Sequence, residues 1–339
     1  MKAKHVIIYL LLVIVTSSCI RDEAPNAEAD ILSCRLPGIT MTTSPIINNN
    51  SVTLFVTPGT NISALAPEFT LTSGATITPA SGTERNFNSP QEYQVTAADG
   101  IWKKTYAISV IDTELATIYN FEDTISGKKY YIFVERENDK VIMEWASGNA
   151  GYAMTGVAKT ADDYPTFQIA NGKNGKCLSL VTRSTGFFGG LVGMPIAAGN
   201  LFIGSFDVNN AMSNPLQATK FGLPFRHVPT YLAGYYKYKA GDQFTEGGKP
   251  VEGKRDICDI YAIMYETSVS VPTLDGTNAF TSPNLVSMAR IKDAKETDEW
   301  TYFKLPFTTL PGKFIDKEKL TMGKYNICLL YTSPSPRDT

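Results

Sequence analysis

Histidine is nearly absent from this chain and aromatic rings are plentiful, which narrows the chemistry its side chains can do. The 339 residues include two histidines, 17 Tyr, 17 Phe and 3 Trp. His5 lies in an apolar leader, so a Ser-His-Asp triad or a multi-histidine metal site would rest on His227 alone. Rings beside charges or amides are the better candidates. In GYYKYK (234–239), strand alternation puts Gly234, Tyr236 and Tyr238 on one face and Tyr235, Lys237 and Lys239 on the other. If the lysine face is wet, Tyr235 is a surface ring, and Tyr236 and Tyr238 line the sandwich interior or a concave groove. Trp145 leads into SGN, where Asn149 can set an amide beside the indole; the same residue reads equally as a core plug. DICDIYAIMYE (256–266) divides into Cys258, Ile260, Ala262 and Met264 on an apolar face, with Asp259, Tyr261, Ile263 and Tyr265 opposite. That second face is either a ring-lined polar platform or an ordinary half-exposed strand. Arg226 and His227 sit between Pro224 and Pro229, a stiff mount for polar side chains.

Sugars present CH faces that stack on rings, and hydroxyls that pair with carboxylates, amides and guanidinium groups, so these candidates suit a glycan. Hydrolysis would need more: two carboxylates roughly 5 to 10 Å apart across the bond. Asp123, Glu135, Glu144, Asp256, Asp259 and Glu266 are available acids, but no spacing selects a pair, and catalytic residues stay unassigned. A net charge of −2 without a basic run excludes a nucleic-acid partner by electrostatics. Cys34, Cys177 and Cys258 are far apart with no CxxC spacing, which fits free or buried thiols and leaves their pairing open.

The elements that must position these residues read as strands throughout. SVTLFVTP (51–58) alternates before Pro58-Gly59, EFTLTSGATITPASG (68–82) gives two short runs, and EYQVTAADGIWKKTYAISVI (92–111) is a hairpin turning at Ala98-Asp99-Gly100. Turn signals about every ten residues predict a β-sandwich of immunoglobulin-like size over 34–112. From 113 onward, KKYYIFVE, KVIMEWA, NLFIGSFDV, GYYKYKAGD and DICDIYAIMYE predict strands, with glycine- and proline-rich loops between them and no amphipathic helix of twelve residues. The expected class is all-β, an immunoglobulin-like β-sandwich followed by a jelly-roll β-sandwich. Such rolls accommodate a structural calcium on backbone carbonyls and an Asp, although no residues here mark its ligands and no other cofactor is implied.

The termini carry separate signals. Lys2 and Lys4 precede ten apolar residues, VIIYLLLVIV. As a helix these cover roughly 15 Å, half a bilayer core, which is a secretion signal (1–18) rather than a span. Thr16, Ser17 and Ser18 directly before Cys19 resemble the lipobox of bacterial lipoproteins. That resemblance implies acylation of Cys19, a permanent hold on outer-membrane lipid, and a tether over 19–33. Asp22 and Glu23 resemble the acidic tag that sends lipoproteins of gut anaerobes to the outer surface. At the other end, CLLYTSPSPRDT (328–339) changes register after GKYNI and reads as the translation of a sequencing adapter. On that reading the domain stops at Ile327 short of its last strand, with a bare sheet edge.

NFED (120–123), WASGNAGY (145–152), YPT (164–166), AAGNLFIGSF (197–206), FGLPF (221–225), LAGYYKYKAGD (232–242) and DICDIYAIMYE together resemble the putative carbohydrate metabolism domain, PCMD, over about 118–327. The resemblance implies a surface lipoprotein of a glycan-utilisation system, working beside other proteins of that system. It also implies a front spacer module and a jelly roll similar to carbohydrate-binding modules. Glycan binding, or help in glycan processing, is the expectation; a glycoside hydrolase and a non-catalytic structural subunit of the cell surface are the alternatives.

Overall fold

The computed structural model describes residues 25–191, 193–246 and 249–333; the apolar leader, Cys19, Asp22, Glu23 and 334–339 lie outside the described residues. Seven strands form the front module: β1 (Ile31–Arg35), β2 (Ile46–Ile47), β3 (Ser51–Phe55), β4 (Glu68–Leu71), β5 (Thr76–Thr78), β6 (Gln91–Thr96) and β7 (Lys103–Ile111). They make a five-stranded sheet in the order β2-β3-β7-β6-β5 and a β1-β4 pair. β3 and β7 run parallel, and β6 and β7 are the expected hairpin. Alternation decides the core: Val52 and Leu54 of β3, Tyr93 and Val95 of β6, and Tyr106, Ile108 and Val110 of β7 pack against Ile31, Cys34 and Leu36. β1 begins at Ile31, inside the span assigned to the tether. The reason is local: Ile31 is buried, its N–H donates to the Tyr106 hydroxyl at 3.3 Å, and Asp30 is paired with Lys104 at 2.6 Å.

Among the strands of the second part, twelve position the site: β8 (Val134–Glu137), β9 (Lys140–Glu144), β10 (Thr166–Ile169), β11 (Cys177–Leu180), β12 (Asn200–Phe202), β13 (Leu223–Pro224), β14 (Tyr231–Tyr238), β15 (Asp259–Glu266), β16 (Leu285–Arg290), β17 (Thr297–Pro306), β18 (Thr308–Thr309) and β19 (Tyr325–Thr332). The main sheet runs β12-β19-β15-β16-β18, with β13 also pairing β19, and β14-β17 is a separate antiparallel ribbon. The ribbon covers one face of the sheet. Leu232 and Phe303 meet Leu201, Ile260, Ala262, Ala289 and Leu329, with Phe133 and Trp145 beside them. The opposite face is closed as well, where Tyr261, Ile263, Tyr265, Cys328 and Leu330 pack with Phe221, Leu274, Ala279 and Leu285. The chain is all-β, as expected, and short helical turns such as Asn149–Tyr152 do not interrupt its layers.

The boundary expected at Ile327 falls inside a strand. β19 runs on to Thr332 and pairs along its whole length with β15, from Glu266↔Tyr325 through Ile263↔Cys328 to Asp259↔Thr332. Whatever its origin, the stretch C-L-L-Y-T carries strand alternation five residues further. Leu329 and Tyr331 turn to one core, Cys328 and Leu330 to the other. With β12 and β13 on its second side, β19 leaves no bare edge there.

The two parts share apolar packing. Phe55 and Ile111, at the ends of β3 and β7, are buried in the same cluster as Phe133, Leu223 and Leu232. Lys140 reaches back to Asp112 at 2.9 Å, and Arg226 lies 3.7 Å from Glu114.

Candidate functional site

The exposed face of the β14-β17 ribbon concentrates rings and cations. In β14, Leu232 and Tyr238 are buried while Tyr231, Ala233, Tyr235 and Lys237 face solvent. In β17, Phe303 is buried, Tyr302 and Lys304 face solvent, and Trp300 is half-buried. The pairing sets Tyr235 opposite Tyr302, Ala233 opposite Lys304 and Tyr231 opposite Pro306. Gly234 belongs to the inward set because a Cβ there would stand 3.1 Å from the Phe303 ring, which fills that space.

Outside, Tyr235 and Tyr302 form a tilted pair with centroids 5.3 Å apart. Tyr231, Tyr235 and Tyr302 are 55%, 47% and 54% exposed, unlike most large rings of this chain. Each section of the face carries a lysine over a ring. Lys304 Nζ lies 4.1 Å from the Tyr231 ring centre, Lys173 4.3 Å from that of Tyr235, and Lys237 5.5 Å from that of Trp300. Contacts of this kind at exposed sites contribute about 0.5–1 kcal/mol each. Lys173 comes from the loop between β10 and β11, which is tied down: Gly172 N–H donates to Gly175 O, and Lys176 N–H donates to Glu122 Oε1, both at 2.9 Å. Gln168 in turn clamps the Phe121 and Glu122 carbonyls at 2.7 and 3.0 Å. Among the described residues, Lys173, Lys237 and Lys304 form no ion pair.

The residues singled out from sequence are not gathered on this face, and most are covered. Trp145 is 3% exposed; its ring packs against Tyr119, Phe121 and Tyr331, and its Nε1–H donates to Glu135 Oε1 at 2.8 Å. Asn149 is fully buried, latching Thr166 by donating to its carbonyl at 2.7 Å and accepting from its N–H at 3.1 Å, so its amide faces no solvent. Tyr236 is half-buried and bridges both backbone groups of Lys295. Tyr238 is buried with its hydroxyl donating to the Asp256 carbonyl, and burial pushes its pKa up to about 12.

The expected platform on β15 is interior, because the segment carrying Leu274 and Ala279 closes over it. Asp259 takes a two-pronged bond from Arg290, at 3.0 Å from Nε and 2.6 Å from the terminal nitrogen. Tyr261 packs edge-on to Phe280 at 4.9 Å. Tyr265, with no measurable exposure, donates to the Phe221 carbonyl and accepts from Asn326 at 3.1 Å. Arg226 is held within the second part, bonding Thr321 O at 3.3 Å and facing Glu114 of the segment that follows β7. What sequence reasoning missed was Tyr231, Trp300 and Tyr302. The signal was in TDEWTYFKLP (297–306), where Trp300, Tyr302 and Lys304 alternate with Thr301, Phe303 and Leu305.

A second, smaller constellation surrounds Glu135. Burial raises its carboxyl above the ordinary value; the Trp145 bond opposes this, and the Asp123 charge adds to the rise. The same burial, with Glu135 nearby, raises Tyr119 and Tyr331. A cavity of about 350 Å³ opens elsewhere, between Glu266, Asn284, Phe314 and Lys319, where the Lys319–Glu266 pair at 2.6 Å spans it. Cys34, Cys177 and Cys258 are free thiols, and burial pushes Cys34 up to about 12 and Cys258 up to about 11.

Two outcomes follow from this geometry. Asp259→Ala strands the half-buried Arg290 guanidinium and should cost about 3 kcal/mol or more in urea unfolding. Burial holds the Glu135 carboxyl above its ordinary value, so its stabilising contribution is complete below the unfolded carboxyl pKa and lost as pH rises through the raised one. Glu135→Gln keeps an acceptor for Trp145 and removes that titration. The melting temperature of the variant relative to wild type should therefore rise between pH 4 and pH 7, and a difference independent of pH would contradict the reading.

Known proteins resemble the chain in both of its parts. Residues 120–338 match the family model described as Putative carbohydrate metabolism domain, and residues 31–110 match SGBP, N-terminal. No curated protein matches the chain. Among solved structures, one from Bacteroides thetaiotaomicron, described as a putative glycoside hydrolase, is similar at 83% identity and a TM-score of 0.89, covering 93% of this chain and 92% of its own. Another from Bacteroides vulgatus, described in the same words, is 47% identical with a TM-score of 0.59, covering 63% of this chain and 87% of its own. With 120–338 matched and ring-bearing strands of the same sheet sandwich on the page, the chain belongs to the putative carbohydrate metabolism domain family, PCMD.

Proposed function

We propose that this protein binds a glycan at the cell surface, held to the outer membrane by acyl chains on Cys19, and that the β14-β17 face is where the glycan lies. The observation carrying the reading is the set of four rings, Tyr231, Tyr235, Trp300 and Tyr302, on one solvent-facing surface. Tyr231 and Tyr235 are four residues apart, about 13 Å along a strand, so an extended chain of sugars rather than a single one would use both. Rings of this kind stack on the CH faces of pyranoses, and the lysines and the Asn171 and Asn174 amides of the neighbouring loop can reach hydroxyls. The family match and the surface-glycan-binding N-terminal match support the glycan class and the surface location.

Glycan hydrolysis is the second reading. It is favoured by the raised carboxyl of Glu135 beside Trp145, with the Asp123 charge close enough to affect it, and by the description given to the two similar structures. A carboxyl pKa raised in this way suits a proton donor to a leaving oxygen.

The deciding experiment is a glycan array with the acylation-deficient soluble protein, followed by product analysis on every ligand that binds. Binding without product supports the first reading, and product lost in Glu135→Gln supports the second. Tyr235→Ala and Tyr302→Ala should each weaken binding about fivefold or more while costing only about 1–2 kcal/mol of stability, the worth of the ring pair and of the lysine contact on Tyr235. Unchanged binding in both would remove the ribbon from consideration. Labelled palmitate should enter the wild type and not Cys19→Ala; incorporation in neither would discard the anchor.

A further inference from the structure

The charges on the ribbon face narrow the ligand class further, on the footing that this face is the glycan site. Three ammonium groups, those of Lys173, Lys237 and Lys304, stand on one surface, each over a ring and each without a carboxylate partner among the described residues. The chain's overall balance is −2, so three unpaired ammonium groups gathered on one ring-bearing surface are a local cationic excess; Lys104, Lys140, Lys254, Lys295 and Lys319, by contrast, are in ion pairs. The exposed acids of the ribbon, Asp298 and Glu299, lie at one end of β17 beyond Trp300, leaving the Tyr231 to Tyr302 stretch cationic.

We infer that the face selects an anionic polysaccharide, one bearing carboxylate or sulfate groups along its length. The argument is one of exchange. A sugar can stack on Tyr231, Tyr235 or Trp300 only by taking a ring face that an ammonium group now occupies. A neutral glycan sends that ammonium group back to water and loses the cation–ring attraction. An acidic glycan takes both partners at once, the CH face on the ring and the charge on the displaced lysine, whose long stem lets it swing aside without leaving the site. The rings thus bind sugars in general, and the lysines discriminate among them. Three cations spread along about 20 Å of strand match a repeating charge better than a single one. Both carboxylate and sulfate satisfy this geometry.

The test uses matched chains. Polygalacturonate and its carboxyl-reduced neutral counterpart, and dextran sulfate and its desulfated neutral counterpart, are titrated into the soluble protein by calorimetry at low and at 0.3 M salt. The same titrations are run on a Lys173→Met, Lys237→Met, Lys304→Met triple variant, which keeps the apolar stems. Tighter binding of a charged chain than of its own neutralised form, by about tenfold at low salt as expected for three exposed ion pairs, supports the inference. That preference should shrink with salt and vanish in the triple variant. Which of the two charged chains shows it separates carboxylate from sulfate. Equal binding of charged and neutral forms, or a preference that survives in the triple variant, overturns the inference and leaves the glycan reading standing. Binding of neutral glycans alone on the array has the same consequence. No binding of any glycan, charged or neutral, overturns the glycan reading itself.

Discussion

The two-residue period of β14 and β17 is the constraint on which the exposed face depends. Leu232, Gly234, Tyr236 and Tyr238 on one strand, and Thr301, Phe303 and Leu305 on the other, are drawn inward toward the sandwich core. Because neighbours point to opposite sides, Tyr231, Tyr235, Lys237, Tyr302 and Lys304 have no choice but to face water, with the half-buried Trp300 on the same side. A slip of one residue would bury the lysines and expose Phe303 and Leu232, so the pairing register is defended by the whole apolar layer. The ring face is therefore a by-product of core packing in position and a specific choice in chemistry: only the residue types on the outer side are free to serve a ligand.

The main sheet obeys a different rule. β15 and β19 are covered on both sides, so their tyrosines and Asp259 are interior groups, and each needs an internal partner. Tyr265 has Phe221 and Asn326, and Asp259 has Arg290, whose guanidinium also lies 4.4 Å over the Phe280 ring. Polar residues in this layer are holding segments together, and Asn149 does the same for the start of β10 through Thr166. Glu135 is a carboxyl that burial holds above its ordinary value, with the Trp145 bond opposing the rise and the Asp123 charge adding to it.

Much of the architecture could be read directly from the chain. Alternation in SVTLFVTP and in the 92–111 hairpin, with turn residues between, is local information, and β3, β6 and β7 form where it indicates. The exposed ring face was harder to read for two physical reasons. Its second strand lies some sixty residues from β14, and cross-strand neighbours of that separation leave no trace in local pattern. The division of β15 into a core face and a polar face was correct as geometry, but which faces see water depends on the covering segment around Leu274 and Ala279, which has no strand periodicity of its own. Composition likewise pointed to rings beside charges without saying which rings stay outside. GYYKYK contains both kinds, Tyr235 outside and Tyr236 and Tyr238 within. β19 runs on past Cys328 because the change of composition there does not interrupt the apolar alternation that a central strand requires.

Phe55 and Ile111 belong to the front module by sequence and to the second core by packing. A spacer joined to its neighbour through a flexible link would let the binding surface tumble. With these two side chains sunk into the adjoining layer, and Lys140 bridging to Asp112 alongside, the front module behaves as a bracket instead. Any pull on a polymer lying across the tyrosines would pass through solid packing to the chain entering β1, making the molecule a stiff outrigger whose bearing is set during folding.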